Sequence, residues 1–157
     1  MAGAERRATP LGGDATGMVV GVVAARWNAD VVDRLRDGAE RAIEAAGATV
    51  VSATAPGAFE LPFAAQTLIR SDDVDAVVVV GAVIRGETTH YELVSEGCAR
   101  GVMDVQLDTG VPIGFGVVTV ENLDQATARS EPAGGHNVGE EAAQAAIEMA
   151  IAARRRR

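Results

Sequence analysis

The feature that most constrains the fold is an unbroken run of β-branched residues near the middle of the chain, Val77-Val78-Val79-Val80. Successive side chains of a strand point to opposite faces, so a continuous apolar run needs both of its faces buried. This is typical of a central strand in a parallel sheet that helices cover on both sides. Because parallel neighbours need long crossover connections, helices should flank the run along the chain.

The rest of the chain alternates between short apolar runs and segments of helical periodicity. Helix boundaries are indicated by Asn28 or Asp30 as a cap, by Gly47 as a stop, and by Pro62, which is tolerated in a first turn. Further strands are predicted over about 18–24, 48–53 and 112–120, and helices over about 29–46, 59–70, 89–107, 122–130 and 139–153. The pattern predicts an α/β fold, a four-stranded parallel sheet with helices on both faces.

The length of 157 residues fits one domain, which we place at 18–153. Residues 1–17 are rich in Gly, Ala and Thr, contain Pro10 and lack periodicity, so we predict a flexible N-terminal arm. Residues 154–157 are all arginine and are interpreted as a tail at a solvated helix end, where cations are favourable.

Charge and cysteine content exclude several classes of protein. The net charge of −8 argues against general nucleic-acid binding. The longest uncharged apolar run, Ala76 to Ile84, is about half of what a bilayer span needs, and no secretion signal is recognised, so no membrane partner is expected. The single Cys98 cannot form an internal disulfide and fits a reducing compartment, so we expect a cytoplasmic protein.

All fourteen basic residues are arginine, and this restricts the chemistry. Without lysine, any mechanism that forms an imine on an enzyme lysine is excluded. The segment from Gly81 to Thr88 has the glycine spacing of a phosphate-binding loop, but Glu87 occupies the lysine position, so that motif is excluded. Two histidines and one cysteine, widely separated, offer no metal-ligand spacing, and we expect neither metal nor cofactor.

Unusual residues follow the first three predicted strands, in the loops 25–28, 54–60 and 84–90. In parallel sheets, ligands bind at the carboxyl ends of strands, so these loops should meet at one site. Trp27 there can stack on a planar heterocycle or be buried in the core. Glu60 can accept hydrogen bonds from a polyol or amine, or complement a helix dipole.

The segment Gly86-Glu87-Thr88-Thr89-His90 leaves a strand and begins a helix. Free N–H groups at such a helix start favour an anion such as phosphate, although capping by Thr88 or Thr89 explains the same residues. His90 is either a proton-transfer group or an ordinary surface histidine. The residues alone therefore predict a binder of a planar ligand and a phosphate, without specifying a substrate.

Four stretches, in the same order along the chain, closely resemble the lumazine synthases. They are Arg26-Trp27-Asn28, Pro56-Gly57-Ala58-Phe59-Glu60-Leu61-Pro62, Gly81-Ala82-Val83-Ile84-Arg85-Gly86-Glu87-Thr88-Thr89-His90-Tyr91-Glu92 and Gly114-Phe115-Gly116-Val117-Val118-Thr119-Val120-Glu121-Asn122. The resemblance runs from about Met18 to the last helix. It implies a flavodoxin-like three-layer sandwich that assembles as a homopentamer, with active sites between adjacent subunits.

The activity implied is that of a transferase in riboflavin biosynthesis. It condenses 5-amino-6-(D-ribitylamino)uracil with 3,4-dihydroxy-2-butanone 4-phosphate, giving 6,7-dimethyl-8-ribityllumazine, phosphate and water. The partners are therefore two small-molecule substrates, inorganic phosphate and further copies of the chain.

The resemblance also implies a role for each matching residue. His90 would move protons, and Phe115 and Arg129 would come from the neighbouring subunit, Arg129 towards the phosphate. The residues implied to bind the pyrimidine or its ribityl chain are Trp27, Asn28, Ala58, Phe59, Glu60, Ala82, Val83 and Ile84. Those implied to hold the keto-phosphate are Gly86, Glu87 and Thr88.

One departure from the family concerns the phosphate. Many members have Asn-Lys-Gly before the last helix, whereas Val138 stands at the lysine position here, in a run that is one residue longer. His136 either substitutes in part for this cation or is a solvated loop histidine. The missing lysine motivates an alternative function, a non-catalytic flavin- or lumazine-binding protein of the same fold. His90, Glu60 and Arg129 argue for catalysis.

Assembly size is a further expectation. In icosahedral members the N-terminal segment adds a strand to a neighbouring subunit, and the glycines and Pro10 of the arm suit such a strand poorly. A pentamer or a pair of pentamers is therefore expected, rather than a sixty-subunit cage.

Overall fold

The computed structural model describes residues 13–156 and contains one sheet whose strands are all parallel. Its strands are β1 (Val19–Ala25), β2 (Thr49–Ala55), β3 (Ala76–Ile84) and β4 (Ile113–Val120), in the order β2-β1-β3-β4. The predicted four-stranded parallel sheet is therefore confirmed. The β-branched run lies in β3, which is buried along its whole length except at Ile84.

Helices cover both faces of the sheet. They are α1 (Ala29–Ala45), α2 (Leu61–Ser71), α3 (His90–Thr109), α4 (Leu123–Ala128) and α5 (Val138–Arg155), and a single 3-10 turn, Ala58–Glu60, precedes α2. Val78 and Val80 of β3 face the core shared with α1 and α5, whereas Val77 and Val79 face the core shared with α2 and α3. This is the predicted flavodoxin-like three-layer sandwich.

The start and end of α1 show which boundary signals operate. Gly47 follows the helix with φ of +87°, a left-handed conformation that glycine adopts readily, so the predicted stop is confirmed. Of the two predicted caps, Asn28 is the N-cap residue of α1, but its side chain makes no hydrogen bond to the first turn, and Asp30 lies inside that turn. Asn28 has φ of 60° and ψ of 48°, and its amide points instead towards the sheet.

Helices α1 and α5 approach each other closely near Gly139. A Cβ atom on Gly139 would lie 1.9 Å from the carbonyl oxygen of Leu35, so only glycine fits at this crossing. Beside it, the buried Asn137 donates to the carbonyl oxygen of Arg34 at 2.9 Å and accepts from the backbone N–H of Glu140 at 3.0 Å. This one side chain caps α5 and fastens it to α1.

Both ends of the described chain pack against the domain. In the predicted arm, residues 1–12 lie outside the described residues, but Ala15 is fully buried and its N–H donates to the carbonyl oxygen of Ala46 at 2.8 Å. The predicted arginine tail begins inside α5, where Arg154 pairs with Asp75 at 3.2 Å. Arg157 lies outside the described residues.

Candidate active site

The strand order places a crevice at one edge of the sheet. From β1 the chain continues to β2, on one side of the central pair β1 and β3, and from β3 it continues to β4, on the opposite side. The strand order therefore reverses between β1 and β3. Loops that diverge at such a point leave room for a ligand beyond the carboxyl ends of the strands. The loops after β1, β2 and β3 meet there.

A cavity of about 580 Å³ occupies this crevice, a volume within the range of small-molecule sites. It contains nine of the residues assigned to the site from the sequence, together with Gly57, Leu93 and Val94. Those nine are Trp27, Asn28, Ala58, Phe59, Glu60, Ala82, Val83, Ile84 and His90. The three loops, which are far apart in the chain, therefore meet at one site, as predicted.

Two aromatic rings form walls of the cavity and remain largely exposed, Trp27 at 73% and Phe59 at 59%. Burial of Trp27 in the core, one of the two interpretations of the sequence, is therefore wrong. Both rings lie against glycines. A Cβ on Gly57 would lie 3.0 Å from Cδ1 of Trp27, and one on Gly97 would lie 2.8 Å from Cε1 of Phe59.

Asn28 connects two of the converging strands. Its side-chain Nδ2 donates a hydrogen bond to the carbonyl oxygen of Ala82 at 3.0 Å, which links the end of β1 to the end of β3. The left-handed backbone of Asn28 turns its side chain towards β3, and asparagine tolerates that conformation better than most residues. The floor of the cavity is therefore held at both strand ends.

His90 is the first residue of α3, is exposed and lines the cavity. Its backbone N–H donates to Oγ1 of Thr88 at 3.3 Å, so Thr88 makes the local hydrogen bond at the helix start. Thr89 is the N-cap residue but makes no capping hydrogen bond, so that alternative is wrong. The residues Gly86, Glu87 and Thr88, which the sequence assigns to phosphate, are exposed and do not line the cavity. They lie in the chain between Ile84 and His90, which do line it, at a helix N-terminus where anions are favoured.

A charged cluster lies beside this loop. The Arg85 guanidinium pairs with Glu92, and its Nε lies 2.7 Å from Oε2 of Glu121 and its Cζ 4.2 Å from the centre of the Tyr91 ring. The hydrogen bond from Arg85 lowers the pKa of Glu92, and the carboxylates raise the pKa of Arg85. The sequence contains these residues but does not reveal the cluster, because Glu121 follows a different strand.

Phe115 and Arg129 do not line the cavity of their own chain. Phe115 is 37% exposed and pairs in register with Val79, on the sheet face that α2 and α3 cover. Arg129 ends α4, and its Nη1 donates to the carbonyl oxygen of Gln125 at 3.0 Å. Their roles in a neighbouring subunit stay predictions.

The run that departs from the family lies away from the cavity of its own chain. Val138 begins α5 and packs, partly buried, against the core under α1 and α5. Nε2 of His136 lies 2.7 Å from Oε1 of Glu141, and both side chains are about half exposed. Within this chain His136 therefore has a carboxylate partner and does not contact the cavity.

Within 13–156, no three side chains among His, Cys, Asp and Glu come together in a way that could hold a metal ion. Over the same range, no helix is both long enough and apolar enough to cross a bilayer.

Known proteins of one family match nearly the whole chain. Residues 17–154 match the model of the family described as 6,7-dimethyl-8-ribityllumazine synthase. A protein of that name from Kineococcus radiotolerans is 49% identical over 143 residues, which cover 90% of this chain and 88% of the relative. Another protein of that name, from Leifsonia xyli subsp. xyli, is 43% identical over 142 residues, which cover 90% of this chain and 89% of the relative. The chain therefore belongs to the 6,7-dimethyl-8-ribityllumazine synthase family.

Proposed function

We propose that the cavity at the carboxyl edge of the sheet is where this chain carries out its family's reaction in riboflavin biosynthesis. The transferase joins 5-amino-6-(D-ribitylamino)uracil to 3,4-dihydroxy-2-butanone 4-phosphate and forms 6,7-dimethyl-8-ribityllumazine, phosphate and water. The observation that carries the proposal is the convergence of Trp27, Phe59 and His90 on one cavity beside a helix N-terminus.

The aromatic end of the cavity suits the pyrimidine. The exposed Trp27 ring offers a face for stacking, and such ring pairs contribute about 0.5–1.5 kcal/mol beyond the area they bury. Ala82, Val83 and Ile84 lie at the end of β3, where backbone groups can meet the polar edge of the pyrimidine.

The ribityl chain needs hydrogen-bond acceptors and donors. We assign it to Asn28, Ala58, Phe59 and Glu60, which lie together in the loops after β1 and β2. The carboxylate of Glu60 accepts hydrogen bonds from hydroxyl groups, and charge-assisted hydrogen bonds are stronger than neutral ones. Phe59 provides an apolar wall beside it.

The phosphate of the second substrate is assigned to Gly86, Glu87 and Thr88, with Arg129 contributed by the neighbouring subunit. Support comes from the position of this loop at the N-terminus of α3, a helix of 20 residues, whose first N–H groups attract an anion. Arg129 supplies a permanent positive charge, as suits phosphate recognition. This end of the site lacks the lysine found in many members of the family.

The chemistry requires no lysine. The primary amine of the pyrimidine attacks the ketone of the keto-phosphate, and water leaves as the imine forms. Phosphate is then eliminated, and the ribitylamino nitrogen attacks the remaining carbonyl and closes the ring with loss of a second water. His90 transfers the protons that these steps release and require, because imidazole both donates and accepts near neutral pH. Holding the two substrates in the reactive orientation contributes up to about 7–11 kcal/mol.

We further propose that the chain assembles as a homopentamer, or as two pentamers, with each site between adjacent subunits. Support comes from large apolar side chains that remain exposed on α3 and β4, namely Leu93, Met103, Leu107 and Phe115. A neighbouring copy would cover them and bring a second set of residues to the cavity. Sedimentation giving a particle of sixty subunits would contradict this assembly. The location proposed is the cytoplasm.

Mixing the two substrates with the protein and following lumazine absorbance and fluorescence tests the function. Formation of 6,7-dimethyl-8-ribityllumazine at a rate above the spontaneous reaction is the expected result. The alternative, a non-catalytic flavin- or lumazine-binding protein, predicts tight binding of the product without acceleration. Nothing in the comparisons favours that alternative.

A further inference from the structure

Arg85 is the residue on which three elements of the active-site edge converge. Its backbone N–H donates to the carbonyl oxygen of Val120 at 2.9 Å, which extends the pairing of β3 with β4 by one residue. Its guanidinium contacts Glu92 in the first turn of α3 and Glu121 just after β4. One side chain therefore ties the end of β3, the start of α3 and the end of β4 together.

The loop of residues 86–89 lies between Arg85 and α3 and makes few other contacts that would fix its conformation. All residues from Arg85 to His90 are exposed, and a Cβ on Gly86 would meet no atom within 4 Å. Between 86 and 89, the described hydrogen bonds are those accepted by Thr88 from His90 at 3.3 Å and by the Thr89 carbonyl from Leu93 at 3.3 Å. Both join the loop only to α3, so its geometry depends on how α3 is fixed to the strands.

We propose that Arg85 is a positioning residue that holds the Gly86–Thr89 loop, and with it His90, in the geometry that receives the keto-phosphate. The inference rests on the proposed function for the role of that loop. Arg85 does not itself line the cavity, so its effect on the reaction is exerted through the loop and the start of α3.

Charge gives Arg85 a second effect on the same loop. Glu92 and Glu121 place two carboxylates beside the loop assigned to an anion, and Arg85 pairs with both of them. Among the described residues, Arg85 is the only cation within ion-pair distance of either carboxylate. Without it, both negative charges would be unpaired near the phosphate and would repel it.

The geometry requires arginine in particular. A guanidinium presents several N–H groups in one plane, so it can contact two carboxylates at different edges while its face lies over an aromatic ring. Arg85 does this with Glu92, Glu121 and Tyr91. A lysine ammonium is a single point charge and cannot reproduce all three contacts.

The test compares Arg85→Met and Arg85→Lys with a matched control, Arg36→Met. Arg36 has the same side-chain exposure, 37% against 38%, and also lies near two carboxylates, but both belong to its own helix, α1. Glu121→Gln provides a milder variant that removes one tie and keeps the arginine. Two readouts are used, steady-state kinetics with both substrates and amide hydrogen exchange of residues 85–92 without substrate.

For Arg85→Met we expect KM for the keto-phosphate to rise about tenfold or more, as loss of charge-assisted positioning implies. KM for the pyrimidine should stay near the parent value, because the aromatic end of the cavity is unchanged. Amides 86–92 should exchange faster than in the parent. Arg85→Lys should recover part of both effects, Glu121→Gln should show smaller changes in the same direction, and Arg36→Met should match the parent.

Parent-like exchange and kinetics in Arg85→Met would overturn the proposal, as would an equal rise in both KM values. If Arg85→Met fails to fold, Glu121→Gln decides, and parent-like exchange and kinetics in that variant would have the same effect. If the parent protein forms no lumazine, the proposed function is wrong, but the proposal about Arg85 is not thereby contradicted. The exchange data then decide alone whether Arg85 holds the loop.

Discussion

The side-chain amide of Asn28 donates a hydrogen bond to the carbonyl oxygen of Ala82, 3.0 Å away, and thereby joins the ends of β1 and β3 beneath the cavity. These are the two strands between which the sheet order reverses. The width of the crevice at that point therefore depends on one polar contact as well as on the sheet itself.

Replacing Asn28 by glycine should separate this contact from the backbone conformation. Glycine keeps the left-handed φ at no steric cost, so the turn should form while the amide is lost. We expect a loss of about 1 kcal/mol in the free energy of unfolding, typical of one hydrogen bond, and a several-fold rise in KM for the pyrimidine. Urea unfolding and steady-state kinetics measure the two effects.

Asn28→Asp is the companion variant, because aspartate also tolerates this conformation but places a carboxylate against the Ala82 carbonyl. It should weaken pyrimidine binding more than glycine does. Parent-like KM values in both variants would show that the contact does not shape the site.

His90→Gln should lower kcat by about 100- to 1,000-fold, within the range expected when a general acid–base group is removed. KM values should change little, because glutamine occupies a similar volume and the cavity walls are untouched. The matched control is His136→Gln, at the other histidine of the chain, which pairs with Glu141 outside the cavity.

The control also addresses phosphate binding. If His136 has no part in the site, its variant turns over like the parent at every keto-phosphate concentration. A His90→Gln variant with the parent rate would remove His90 from the mechanism.

Sites shared between subunits predict complementation. His90→Gln and Arg129→Met should each be much less active than the parent when assembled alone, whereas a co-assembled mixture should recover activity. With equal amounts, about a quarter of the interfaces join an intact His90 to an intact Arg129 from the next subunit. Activity should approach that fraction of the parent value after the variants are unfolded and refolded together.

The double variant, His90→Gln with Arg129→Met, is the control for this experiment. Mixed with either single variant, it cannot generate an intact interface and should restore nothing. Absence of recovery in the main mixture, with assembly verified by sedimentation, would place both residues in sites within one subunit.

The buried thiol of Cys98 should make the free energy of unfolding fall at alkaline pH. The thiol lies in α3, and burial raises its pKa from an ordinary value of 9.0 to about 11. Between these values the unfolded chain loses the thiol proton while the folded chain keeps it. Stability from this group is therefore complete below pH 9 and is lost as pH rises towards 11.

Urea unfolding of the parent and of Cys98→Ala at about pH 8.5 and about pH 10.5 measures this effect. The parent should lose more stability across the interval than the variant, although the variant starts lower because of the space it leaves. Equal losses would show that the thiol does not contribute. At pH 8, a thiol reagent should react slowly with the folded parent and quickly in urea.

The sheet, its layers and the convergence of three loops are predictable from the sequence because they depend on periodicity and on the rules of parallel sheets. Val77 to Val80 must be buried on both faces, and that requirement alone implies helices on either side. Trp27 and His90 line the same cavity as a consequence, since both follow parallel strands.

Contacts between side chains of different elements are not predictable in this way. The side-chain Nδ2 of Asn28 donates to a carbonyl oxygen 54 residues further along the chain, and in this orientation the side-chain oxygen makes no capping hydrogen bond. Arg85 meets Glu121 only because β3 and β4 lie in register. The roles proposed for Phe115 and Arg129 depend on a neighbouring copy, which no pattern within one chain specifies.

Trp27 has a practical consequence beyond stacking. It is the only tryptophan in the chain, it is 73% exposed and it stands in the wall of the cavity. Indole emission depends on the polarity of its surroundings and is quenched by stacked heterocycles. The chain therefore carries one intrinsic fluorophore at the position where a ligand would arrive, so occupancy of the cavity can be followed optically without a label.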